Sequence, residues 1–78
     1  MSDSKIKHDE INIGQNIRRI RLERKIGQTE LVVRLQLRGI EMTRESLVKI
    51  ERGIQHIYAT QLRAIKEELD TTYDELLK

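Results

Sequence analysis

Cysteine, proline, tryptophan and phenylalanine are all missing from this chain of 78 residues, and two tyrosines are its only aromatics. Without cysteine there is no disulfide and no zinc–thiolate site, which fits a reducing cytosol. Without proline and large aromatics, an aliphatic core joined by small turns points to short helices rather than a β-sandwich. Long apolar runs are missing too. Nothing approaches the ~18 apolar residues of a membrane span, and no apolar leader region follows Met1. The expectation is a soluble, cytoplasmic chain with no membrane partner.

Catalytic chemistry is as thinly supplied. His8 and His56 lie far apart in sequence with no nucleophile motif near either, and Gly14 and Gly27 belong to no phosphate-binding glycine loop. His8, Asp9 and Glu10 would gather round a metal only in an ordered tail. The sequence therefore predicts no enzyme, no catalytic residue, no cofactor and no metal.

What is present is charge and apolar residues in nearly equal measure, 36% and 37%. That balance gives each helix one narrow apolar stripe and a broad wet face. The length makes one domain with a thin core. Net charge is only +2, but it is unevenly spread. Arg18, Arg19, Arg21, Arg24 and Lys25 face Glu23 alone early in the chain. Late in it, Glu67, Glu68, Asp70, Asp74 and Glu75 outnumber Arg63, Lys66 and Lys78. A basic end suits a polyanion, and an acidic end suits solvent or another protein. Ordinary solvated helix faces give the same pattern, so charge alone does not decide.

Residues 1–10 are polar, mixed in charge and without period, and read as a flexible tail in which Lys5 and Lys7 are candidates for phosphate contact. Residues 11–78 read as the domain. Asn12 to Lys25 makes a first helix, with Ile13, Ile17 and Ile20 on one face and an Asn12–Gln15 capping box. Gly27 separates it from a second helix, Gln28 to Leu37, whose stripe is Leu31, Val32 and Leu35. A turn around Gly39 tucks Ile40 and Met42 inward. Thr43 caps a third helix that Gly53 stops. Ile57 plugs the core from the connector 54–58. Ala59 to Leu69 is a fourth helix on Leu62, Ile65 and Leu69, and Thr72 with Glu75 opens a short fifth.

The stretch "TRESLVKIERG" (43–53) carries the functional question. Its tip, Thr43 to Ser46, is polar and able to hydrogen-bond. Leu47 and Ile50 lie behind it, and Glu51 adjoins the buried stripe. Two short helices joined by a glycine-containing turn form a helix-turn-helix, whose second helix enters the DNA major groove tip first. Polar side chains at the tip then meet base edges, while Leu47 and Ile50 hold the helix to its own domain.

Taken in order, "IRRIR", "GQTEL", "TRESLVKIERG" and "LRAIKEELDTTYDELL" resemble the Cro/repressor-type (XRE) helix-turn-helix family over nearly the whole chain. The resemblance implies an all-α, compact, lambda-repressor-like bundle of five short helices that binds double-stranded DNA, in most members as a dimer. It implies that Glu51 pairs with Arg21, a structural ion pair that a half-buried carboxylate needs. Two departures stand out. "QLRGIEMT" makes the connection between helices two and three a longer-turn variant, and Val32 stands where the family prefers alanine at a helix crossing.

Carried over residue by residue, the resemblance gives Gln28 a phosphate contact at the start of helix two. Thr43, Arg44, Glu45 and Ser46 would face the groove. Arg44 would be the best base reader, since guanidinium matches guanine O6 and N7. Glu45 would accept from cytosine N4 or orient Arg44, Lys49 would reach a base or phosphate, and Arg38 and Arg52 would sit near the backbone. Tyr73, Leu76 and Leu77 crowd a helix too short to bury them all, which makes them the candidate homodimer interface. The implied function is a cytoplasmic, nucleoid-associated transcriptional regulator, a repressor on a palindromic operator. The alternative is an adaptor or antagonist that keeps the fold and heterodimerises with a regulatory protein.

Overall fold

In the computed structural model, which describes residues 5, 6 and 12–78, the aliphatic stripes of the sequence become five short helices and one small strand pair. In chain order these are β1 (Lys5–Ile6), α1 (Ile13–Glu23), α2 (Gln28–Leu37), α3 (Arg44–Glu51), β2 (Ile57–Tyr58), α4 (Ala59–Glu68) and α5 (Tyr73–Leu76). The described chain is an all-α bundle. α3 packs against both α1 and α2, α2 also packs against α4, and α5 closes on α1. Ile13, Ile17, Ile20, Leu31, Leu35, Leu47, Ile50, Ile57, Ile65 and Leu69 are fully buried at the centre. Among the described residues, no helix is long and apolar enough to cross a membrane.

Helix ends explain why so little loop is needed. α1, α2, α3 and α4 all finish with the same pair of backbone bonds. After α2, the Gly39 N–H reaches the Gln36 carbonyl at 2.9 Å and the Ile40 N–H reaches the Leu35 carbonyl at 3.0 Å. After α3, Gly53 and Ile54 do the same to Ile50 and Lys49, both at 3.0 Å. This motif needs a left-handed residue one place past the cap. Gly39 (φ +80°) and Gly53 (φ +77°) supply it without steric cost, whereas Lys25 (φ +58°) and Asp70 (φ +51°) supply it after α1 and α4. The chain therefore leaves α1 at Lys25, not at Gly27, and α1 stops at Glu23.

Two further expectations change. Asn12 occupies the N-cap of α1, but its backbone (φ −85°, ψ 61°) is not extended and its side chain makes no cap bond, so the Asn12–Gln15 box does not form. At the other end of the scale, Lys5 and Ile6 pair antiparallel with Tyr58 and Ile57, inside a stretch read from sequence as featureless. The rest of residues 1–11, including Lys7 and the candidate metal group His8, Asp9 and Glu10, lies outside the described residues. Thr43 and Thr72 do cap α3 and α5, accepting the N–H of Ser46 at 3.0 Å and of Glu75 at 3.2 Å.

Candidate nucleic-acid interface

The seat of α3 is built first from apolar contact and then from one ion pair. Leu47 and Ile50 are fully buried. α1 comes unusually close beside them. A Cβ at Gly14 would stand 1.9 Å from the Ile50 carbonyl oxygen, so only glycine lets the two helices meet at this depth. Sequence reading gave Gly14 no role, because its reason lies on another helix.

Next to that crossing, Arg21 and Glu51 are buried at 5% and 4% exposure. Arg21 Nε donates to Glu51 Oε2 at 2.7 Å and Nη2 to Oε1 at 2.9 Å, a two-pronged pair of the geometry arginine favours. The third guanidinium nitrogen donates to the Ile26 carbonyl at 3.0 Å, and Gln28 Nε2 adds a bond to Glu51 Oε1 at 3.1 Å. Burying two charges is costly, and only full satisfaction of both offsets the cost. The expected Arg21–Glu51 pair is present, with Gln28 as a third member. The Gln28 side chain, from which a phosphate contact is expected, is thus half-buried and bonded to Glu51.

At the outer end of the helix, Thr43, Arg44 and Glu45 are exposed and Ser46 is half-buried. Thr43 Oγ1 accepts the Ser46 N–H and also lies 3.1 Å from Ser46 Oγ, so the cap orders both hydroxyls. Lys49 and Arg52 are exposed along the same helix. Among the described residues, Arg44, Glu45, Lys49 and Arg52 make no ion pair and no side-chain hydrogen bond.

Other cations are spent inside the fold. Arg19 pairs with Glu23 (3.5 Å) and Glu75 (3.6 Å), and Arg34 pairs with Glu30 (2.6 Å). Arg24 donates to the Leu69 and Asp70 carbonyls at 3.0 and 3.1 Å, completing the end of α4. Arg38, expected near the DNA backbone, grips α4 through Glu67, Glu68 (3.1 Å) and the Ala64 carbonyl (3.5 Å). The Glu67 bond holds the Arg38 pKa above its usual value, and Arg38 in turn holds the Glu67 carboxyl below its own. These pairs neutralise much of the late acidic stretch internally. Exposed Arg18, Lys25 and Arg63 join the cations of α3 in having no such partner among the described residues.

The expected dimer residues divide. Leu76 is fully buried in its own core, because α5 docks on α1 and Asn16 Nδ2 donates to the Leu76 carbonyl at 2.9 Å. That removes Leu76 from any interface. Tyr73 and Leu77 stay 40% and 39% exposed, with the Lys66 ammonium 5.0 Å from the Tyr73 ring centre. No group of three or more metal-ligating side chains exists among the described residues. Compared with protein-family models, curated proteins and solved structures, the chain matches none.

Proposed function

We propose that this chain is a sequence-specific DNA-binding transcriptional regulator, a repressor of the Cro/repressor (XRE) helix-turn-helix type. α3 reads the major groove of a palindromic operator, and the protein works as a nucleoid-associated cytoplasmic homodimer. It is a binding module, not an enzyme, and takes no cofactor. The observation that carries the reading is the division of its cations. Arg19, Arg21, Arg24, Arg34 and Arg38 are engaged by carboxylates and carbonyls. Of the cations without such a partner among the described residues, Arg44, Lys49 and Arg52 share one helix, α3, while Arg18, Lys25 and Arg63 are spread over α1, its end and α4. Donors at a helix tip suit base edges, and cations along its flank suit phosphates. The apolar seat and the Arg21–Glu51 pair supply what a reading helix needs behind it, a fixed orientation.

A rival draws on different side chains. Leu37 at the end of α2 is 82% exposed and Ile54 after α3 is 63% exposed, as a protein–protein adaptor would have them. Selection of bound duplexes from a random pool separates the two. The DNA reading predicts an enriched inverted repeat whose affinity falls steeply with salt as counterions are released. A pool that yields no enriched sequence would favour the adaptor.

A further inference from the structure

The lengthened connection between α2 and α3 is fastened rather than slack. Gln36 Nε2 donates to the Met42 carbonyl at 3.0 Å, and Gln61 Nε2, from the first turn of α4, donates to the Glu41 carbonyl at 2.9 Å. The other end of the Gln61 amide accepts the backbone N–H of Tyr58 at 3.0 Å. Tyr58 is itself paired with Lys5 in the strand pair. One side chain therefore ties the turn to the junction of β2 and α4, two residues before the Thr43 cap.

We propose that Gln61 is a positioning residue for the tip of α3, holding Glu41 and Tyr58 together so that the start of α4 sets where Thr43 and Arg44 stand. The inference rests on α3 being the base-reading helix. Its chemistry is specific to the amide. A donor must face the Glu41 carbonyl and an acceptor the Tyr58 N–H, and the glutamine amide offers the two from separate atoms, Nε2 and Oε1, of one planar group. Beyond Glu41 the chain turns straight into α3, so a displacement there moves the tip as a lever. At the other end of the turn Arg38 grips the far part of α4, so both ends of the connection are referred to one helix. Base recognition tolerates little misplacement, because the groove edge pattern is read through directed hydrogen bonds.

Two substitutions in the full chain separate the bonds. Gln61→Glu keeps the acceptor for Tyr58 and removes the donor to Glu41, while Gln61→Met keeps the length and removes both. Native-state hydrogen exchange of the Ser46 and Leu47 amides, which are bonded to Thr43, should quicken about tenfold in both variants relative to the amides of α1. In selection from random duplexes, both variants should lose preference several-fold at the positions read by the tip. Unchanged exchange and unchanged preference in folded variants would overturn the proposal, as would acceleration spread equally over α1 and α3. If wild type enriches no duplex, the DNA reading fails, while a local change at Ser46 and Leu47 still supports the fastening.

Discussion

Gly14 and Ile50 touch where α1 crosses α3, and the contact leaves no room for a methyl group: a Cβ at residue 14 would lie 1.9 Å from the Ile50 carbonyl oxygen and 2.9 Å from its carbon. The opposing atoms are backbone, and the same oxygen also accepts the Gly53 N–H at 3.0 Å, so it has little freedom to retreat. Gly14→Ala sets two effects against each other. Helix propensity gains ~0.5–1 kcal/mol, and overpacking loses ~1–3 kcal/mol. We expect net destabilisation in urea unfolding, together with an outward shift of α3. A variant as stable as wild type would mean the crossing is looser than described.

The Arg21–Glu51 pair should behave as a unit. Arg21→Ala or Glu51→Ala each strands a buried charge and should cost ~3–5 kcal/mol. The double substitution should cost clearly less than the sum, because it strands neither. Gln28→Ala should cost less than either single change, since Glu51 retains both Arg21 bonds. A double-mutant cycle with additive effects would remove the pair as the lock of α3.

Arg38 and Glu67 give a pH signature. Arg38 lowers the Glu67 carboxyl below its ordinary value of 4.5. A lowered carboxyl contributes stability above its unfolded pKa, and that contribution disappears as pH falls through the folded value. The wild type should therefore lose more stability than Arg38→Gln between neutrality and pH values below about 4.5. Parallel stability curves for the two proteins in acid would contradict the ion pair.

The proposed dimer makes different demands on Leu76, the last residue of α5, and on Leu77 beside it. Leu77→Glu, on a half-exposed position, should weaken self-association on operator DNA without unfolding the chain. Leu76→Ala should instead cost ~2–5 kcal/mol of stability, as a fully buried leucine does. Sedimentation with and without operator should show two chains per inverted repeat, about 34–36 Å between the two copies of α3. A one-to-one complex on an asymmetric site would rule out the dimer while leaving the reading helix in place.

What the sequence made legible was local. Hydrophobic period placed α2 from Gln28 to Leu37, and Thr43 and Gly53 bracketed α3, because caps and stops act on their own neighbours. Arg21 and Glu51 were paired through family resemblance, not through spacing. What stayed hidden depended on distant partners. Arg38 carries an expected DNA-backbone contact from the resemblance, and its grip on Glu67 and Glu68 is invisible in sequence because they lie on another helix. Leu76 read as surplus because the docking of α5 on α1 leaves no trace in α5. Gly14 has no reason within its own helix, since what it meets is the Ile50 backbone, and a two-residue strand has no period to detect. Gln61 carried no signal either, since its two partners are backbone groups.

The measurement closest to the central claim compares wild type with Arg44→Ala on the duplexes each selects from a random pool. Arg44 stands exposed beside the Thr43 cap and makes no ion pair or side-chain hydrogen bond among the described residues. The account predicts that wild type selects an inverted repeat. Arg44→Ala should relax one base position in each half-site at a cost of ~1–3 kcal/mol and leave the others intact. Arg52→Ala should instead weaken all sequences alike. If Arg44→Ala selects the same site with the same affinity, α3 does not read the groove by its tip.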